Sequence, residues 1–390
     1  MNDFDTVIDR AHTNSIKWNY SEQVFGTDDV LPLWVADMDF PAPPSVVEAL
    51  VARAKHPIYG YPGMPTSFFQ AAASWFDRRL GVKVDTEWMT ELPGVVSGLY
   101  VAVEAFTEPG DKIVIQPPVY HPFFDVAKKR GRQLVENPLV ETNGYYTMDF
   151  ADLRRKIDAD TRLLILCSPH NPVGRVWTEE ELRELADICR ENDIIVISDE
   201  IHSDLVFEKG AHRPYFSLSE EMADHSLTFV SGSKTFNLAG LFTSVAIAKN
   251  RKLLQRFKGM QQRMGLQFVN AFGIEALTAA YNGGEQWLDE LLPYLHDNAT
   301  YASNFLRERL PQVKMHVPEA TYLAWLDFRD SGVPAEELPH FIVQKARLGL
   351  NDGVAFGKEG AGFMRLNFAC PRSLLTEALT RLEAAFASRD

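Results

Sequence analysis

Cysteine is scarce: Cys167, Cys189 and Cys370 are the only three in 390 residues, an odd number set far apart, without a Cys-x-x-Cys pair or the Cys/His spacing of a zinc site. That pattern excludes a disulfide framework, and Cys167, inside the apolar run 163–167, reads as a buried, inert thiol. Long hydrophobic runs are also missing. No stretch approaches the roughly 20 apolar residues that cross a bilayer, and residues 1–15 are polar, without the apolar centre of a secretion signal. A cytoplasmic protein with no membrane attachment and no bound metal is expected. Positive charge is in deficit, with 39 Lys and Arg against 53 Asp and Glu and a net charge of -14. The one basic cluster, Lys128-Lys129-Arg130, is short enough to be a solvated helix end, so nucleic acid is not an expected partner. Internal repeats and low-complexity tracts are absent too.

What is present is a globular composition, 46% hydrophobic and 24% charged, in a chain long enough for about two domains. Residues 1–44 read as an irregular arm that joins the C-terminal part in a smaller domain, with an extended piece at 31–35 stopped by Pro41, Pro43 and Pro44. Residues 45–284 read as a large domain. Ser45 is placed to cap a helix to residue 55, a second helix covers 66–80, and from Trp88 strands alternate with helices. Strands are expected at 112–116, 132–136, 161–167, 194–198, 227–230 and 243–248, with a capping box at Thr178 and Glu181 and long helical stretches across 251–282. That alternation implies right-handed crossovers, a mainly parallel sheet covered by helices, and ligands at the carboxyl ends of its strands. Residues 285–390 read as a smaller α+β domain with helices near 286–310, 335–348 and 373–387 and strands near 313–317, 322–328 and 362–367.

Chemistry-bearing residues sit at those strand ends. Lys234 follows an apolar run within Ser231-Gly232-Ser233-Lys234-Thr235, Asp199 ends the β-branched run from Ile194, Asn171-Pro172 follows residues 161–167, and Arg365 stands within an apolar strand. Alone, Lys234 is either a solvated surface charge or a desolvated amine able to form a Schiff base; the company of the other three favours a site. The lysine segment is not a phosphate-binding loop, because no glycine directly precedes the lysine. Gly94 at a strand-to-helix turn exposes backbone N–H groups that hold either water or an anion.

Taken together, these residues resemble the fold-type-I pyridoxal-phosphate enzymes, and within them the cystathionine β-lyase group of the class I/II aminotransferase family. The resemblance runs from Trp34-Val35-Ala36-Asp37-Met38-Asp39-Phe40 to Arg365-Leu366-Asn367. It implies pyridoxal 5'-phosphate carried on Lys234, which also moves protons at the substrate Cα. It further implies Asp199 paired with the pyridine nitrogen, Asn171 on the ring hydroxyl oxygen, and His202 either assisting there or simply satisfied at a strand end. Tyr120 would stack on the ring, or pack as an ordinary aromatic. The phosphate would rest on the backbone of Val95 and Val96 and on the hydroxyls of Ser231 and Ser233, with Tyr61 arriving from the other subunit of a homodimer. Arg365 would clamp the α-carboxylate of a small amino-acid substrate, which Ala36, Asn171 and Tyr120 also touch. Two positions depart from the wider family: residues 235–248 hold no basic residue to meet the phosphate, and Val173 replaces a threonine after Asn171-Pro172. The first favours a C–S β-lyase acting on L-cystathionine or related S-substituted cysteines over an aminotransferase. A non-catalytic regulatory protein is the third alternative, against which the presence of Lys234 stands.

Overall fold

The computed structural model describes residues 2–388. Its centre is a seven-stranded sheet in the spatial order Met89–Leu92, Ser244–Ile247, Ser226–Val230, Ile195–Asp199, Thr161–Cys167, Lys112–Ile115 and Gln133–Glu136. Only Ser244–Ile247 runs antiparallel to its neighbours. The strands are Val-, Ile- and Leu-rich because both faces are covered. Helix Val95–Phe106 seals one face over Ile197, Leu227 and Phe229, and helix Glu179–Glu191 seals the other over Leu164, Leu166 and Val196. The Thr178 and Glu181 capping box is formed as the sequence predicts. The fold is the expected α/β architecture.

A four-stranded antiparallel sheet follows, in the order Lys314–Met315, Leu323–Asp327, Phe363–Asn367 and Asn351–Asp352. Besides the apolar cluster under helix Val95–Phe106, which belongs to the larger sheet alone, a second one is shared. It runs from Leu33 and Met38 of the arm through Trp75 and Phe236 to Leu323, Leu366 and Leu379, so the arm is buried between the two sheets. Among the described residues no helix is long and apolar enough to cross a membrane.

Several boundaries differ from the sequence expectation. The helix at 45–55 is Pro44–Lys55, opened by proline at its first position; Ser45 does not cap it, and its hydroxyl donates to the Ala279 carbonyl at 3.4 Å. The stretch 251–282 is broken into helices Arg251–Arg263 and Ala271–Gly283 at Gly265, whose φ of +71° suits glycine, and Asn270 caps the second by accepting from the Gly273 N–H. The helix at 335–348 shortens to Leu338–Gln344, because Leu348–Gly349 turns to pair in parallel with Leu31–Pro32 of the arm. The hairpin Val140–Thr142 with Tyr145–Thr147 and the short helices Pro122–Lys128 and Phe150–Lys156 are additions to the elements expected from the sequence.

Candidate active site

Parallel strands deliver their last residues to one edge, and there a cavity of about 410 Å³ opens between the two sheets. Its wall includes Val95, Val96, Tyr120, Asn171, Asp199, His202, Ser231, Ser233 and Lys234 from the larger sheet and its connections. Arg365 and Asn351 enter from the smaller sheet, and Trp34, Val35 and Ala36 from the arm. Every residue singled out from the sequence is therefore on one cavity except Tyr61, which is 98% exposed and lies outside it, beside Phe268.

Lys234 rides on the short helix Gly232–Thr235, and its Nζ donates to the Ala36 carbonyl at 2.7 Å. Burial, with the positive charge of Arg365 adding to it, lowers its pKa to about 8. Asp199 ends its strand fully enclosed; burial raises its pKa to about 7 although the Ile201 N–H donates to Oδ1 at 3.2 Å. His202 is held neutral, its pKa lowered to about 3 by burial and by the charges of Lys234 and Arg365, and its Nδ1 has no partner. Burial also raises the Tyr120 hydroxyl.

Arg365 is accommodated in the middle of an apolar strand because both of its outer nitrogens have protein acceptors. Nη1 donates to Asn171 Oδ1 at 3.1 Å, and Nη2 donates to the Trp34 carbonyl at 2.9 Å and to Asn351 Oδ1 at 2.7 Å. The guanidinium stacks 4.9 Å above the Phe356 ring, and Nε is buried without a partner. Burial lowers its pKa to about 10.

Another part of the wall is formed by the start of a helix and by two serines. Gly94, at φ +98°, starts helix Val95–Phe106 with no side-chain cap, and Val95, Val96 and Ser97 of its first turn line the cavity, so no capping side chain claims the first N–H groups. The Ser231 hydroxyl donates to the Thr243 carbonyl at 2.8 Å and accepts from the Ser233 N–H at 3.1 Å, which fixes the turn carrying Ser233. Lys234 and Arg365 are the only Lys or Arg among the described residues of the wall.

Sequence reasoning gives no role to three residues that hold this geometry. Asn237, in the left-handed region at φ +59°, accepts from the Met38 N–H and donates to the Met38 and Phe40 carbonyls. Asn367 donates to the Val35 and Asp37 carbonyls, and Tyr322 donates to the Ala36 carbonyl at 2.9 Å. The arm from residue 34 to residue 40 is thus strapped across the lysine by both sheets. Asn237 carries only its closeness to Lys234 as a signal, whereas Asn367 ends the last segment on which the resemblance rests.

The protein-family description "Aminotransferase class I and II" matches residues 28–382. Cystathionine beta-lyase PatB of Bacillus subtilis (strain 168) is 46% identical over 98% of this chain and 99% of its own length. Among solved structures, cystalysin from Treponema denticola, which contains pyridoxal 5'-phosphate, superposes with a TM-score of 0.96 at 36% identity, covering 100% of both chains. The pyridoxal-phosphate-bound C–S lyase from Staphylococcus hominis gives 0.92 at 34% identity, covering 99% of this chain and 98% of that one. With its cavity described and its whole length matched, this chain belongs to the class I and II aminotransferase family, whose pyridoxal-phosphate-bound members it resembles from end to end.

Proposed function

We propose that this chain is a pyridoxal-phosphate-dependent C–S β-lyase that cleaves L-cystathionine or related S-substituted cysteines to a thiol, pyruvate and ammonia, working in the cytoplasm. The observation that carries the reading is the convergence of Lys234, Asp199, Asn171 and Arg365 on one cavity with no further Lys or Arg among the described residues of its wall. The residues fit the cofactor: Asp199 is a buried acid with only one backbone donor, the helix at Val95 starts uncapped, and Lys234 is a desolvated amine. Asp199 would face the ring nitrogen, Asn171 the ring hydroxyl with His202 beside it, Tyr120 the ring face, and Val95, Val96 and Ser233 the phosphate; Ser231, expected to give its hydroxyl there as well, spends it on the Thr243 carbonyl and supports the turn instead. Bound there, pyridoxal phosphate supplies an electron sink that renders the Cα–H of an amino acid acidic enough to break.

The remaining steps belong to the protein. Arg365 binds the substrate carboxylate through the guanidinium face whose Nε is unpaired, and Ala36, Asn171 and Tyr120 border the same position. Lys234, with a pKa of about 8, is partly neutral near pH 7 and takes the Cα proton as a general base. Loss of that proton and of the β-thiolate leaves 2-aminoacrylate, which water converts to pyruvate and ammonia.

The exposed Tyr61 belongs with Ile58, Tyr59 and Phe268, all well exposed, as an apolar surface that a second copy of the chain would cover. In that homodimer Tyr61 reaches the phosphate end of the neighbouring site. The test incubates purified, cofactor-loaded protein with L-cystathionine and follows pyruvate and thiol, beside an assay for 2-oxoglutarate-dependent amino transfer. Stoichiometric pyruvate and thiol is the expected outcome; turnover that depends on the keto acid alone would assign an aminotransferase instead.

A further inference from the structure

Ala36 belongs to the cavity, yet the charged group behind it is not explained by any step above. Lys17 is fully buried, with Nζ 2.5 Å from Asp39 Oδ2 and 3.7 Å from Asp37 Oδ1. Arg10 bonds both carboxylates, Nη1 to Asp39 Oδ1 at 2.7 Å and Nη2 to Asp37 Oδ2 at 2.8 Å, and the Trp18 indole donates to Asp39 Oδ1 at 2.8 Å. A buried ammonium is costly to desolvate and rarely adds net stability over an apolar residue of its size. What it supplies is a fixed position. Both carboxylates flank the strap, one directly after Ala36 and one three residues on, and the Lys17 ammonium also lies 3.5 Å from the Asp37 carbonyl.

We infer that Lys17 and Asp39 are positioning residues: their ion pair anchors the strap so that the Ala36 carbonyl, 2.7 Å from Lys234 Nζ, sets the direction of the lysine amine whenever that amine is not covalently engaged. With one N–H committed to this carbonyl, the lone pair of the neutral amine has a defined orientation, and after taking a proton the ammonium keeps an acceptor. Tyr322, donating to the same oxygen, holds it from the other side. The charges that bear on Lys234 Nζ are Arg365, Asp37 and Asp199, with His202 and Tyr322 also nearby; Asp37 lies 3.7 Å from the Lys17 ammonium, and leaving its charge less compensated would raise the Lys234 pKa, so a fall in a variant without Lys17 reports the strap.

The kinetic part of the inference rests on the lyase reading, whereas a second readout does not. In cofactor-free protein, competitive acetylation of Lys234 followed by mass spectrometry across pH measures the amine pKa. Lys17→Met should lower it by about one pH unit, the equivalent of one hydrogen bond to a charged group. In loaded enzyme the same variant should lose about 10- to 100-fold in kcat with KM changed less than about threefold, and the isotope effect from Cα-deuterated substrate should rise, because a misplaced base slows proton transfer. A folded Lys17→Met protein with an unchanged Lys234 pKa and an unchanged isotope effect overturns the inference. If that variant does not fold, Tyr322→Phe decides: without the hydroxyl that holds the Ala36 carbonyl from the other side, the Lys234 pKa should fall, and no change refutes the proposal. Wild-type protein without lyase activity refutes the functional reading and leaves the acetylation result to judge the strap.

Discussion

Arg365→Lys tests the substrate clamp without removing its charge. The guanidinium uses Nη1 and Nη2 on Asn171, Trp34 and Asn351, and retains a buried unpaired Nε for the ligand. A lysine has three donors on one nitrogen and no planar fork, so it cannot hold three protein acceptors and also keep a separate donor for a carboxylate. The loss amounts to one hydrogen bond between charged groups plus acceptors left weakly satisfied, about 2–3 kcal/mol, or roughly 30- to 150-fold in kcat/KM. The assay compares S-ethyl-L-cysteine as substrate with S-ethylcysteamine, its counterpart lacking the α-carboxylate, as inhibitor. The variant should lose the stated factor against the first and stay within about threefold of wild type against the second. Equal losses against both compounds would falsify the assignment, because damage to the cavity at large does not depend on the carboxylate.

Three further outcomes follow from the same geometry. Burial raises Asp199 to about 7 from 3.8, so in cofactor-free protein its contribution is present below the unfolded pKa and is lost as pH rises through 7; Asp199→Asn should stabilise that form by roughly 2–3 kcal/mol more at pH 8 than at pH 5, read from urea midpoints, and a difference flat in pH would count against it. Mixing Lys234→Ala with Tyr61→Ala subunits, each inactive alone, should restore roughly a quarter of wild-type activity by forming one intact site per hybrid dimer, whereas no recovery after verified exchange would place Tyr61 outside the neighbour's site. Gly174 has φ +73°, and a Cβ there would sit 2.3 Å from the Pro318 Cβ; Gly174→Ala should lower stability by about 2–3 kcal/mol in calorimetry, and a neutral result would mean that the 318–320 connection is free to move.

The larger sheet was legible because its strands are covered on both faces, so runs such as Ile195–Asp199 lose their polar alternation and stand out as unbroken β-branched stretches. The site residues on it were legible for a related reason. A charge at the end of such a run, as with Asp199 and Lys234, is out of keeping with its apolar neighbours and lies where ligands bind. Short and weakly periodic pieces were not. Helix Pro122–Lys128 and the hairpin at 140–147 carry too few residues to show a period, and the true start of Pro44–Lys55 depended on the neighbouring helix, which takes up the Ser45 hydroxyl. The roles of Asn237 and Asn367 were invisible because these residues bond main-chain atoms about 200 and 330 residues away, and main-chain acceptors leave no residue pattern to read.

The pKa shifts around the cavity explain why so many distant pieces converge there. Burial moves Lys234 down to about 8, Arg365 down to about 10 and Asp199 up to about 7, so each ionic group is pushed toward its neutral form. A site that disfavours its own charges is relieved by ligands that bring the opposite ones: a carboxylate for Arg365 and a cationic ring nitrogen for Asp199. The cost is therefore greatest without cofactor above pH 7, where Asp199 is ionised and unpaired. Cofactor should accordingly raise the thermal midpoint more at pH 8 than at pH 5.5, and this growth should vanish in Asp199→Asn. The lysine contributes with the opposite sign, since its depressed pKa costs stability below about 8 and that cost fades as pH rises. Asp199 is also one of the charges that hold the Lys234 pKa up, so the comparison is repeated in a Lys234→Ala background, where the difference made by Asp199→Asn isolates the carboxylate; a midpoint gap equal at both pH values there would mean that Asp199 does not face the ring nitrogen.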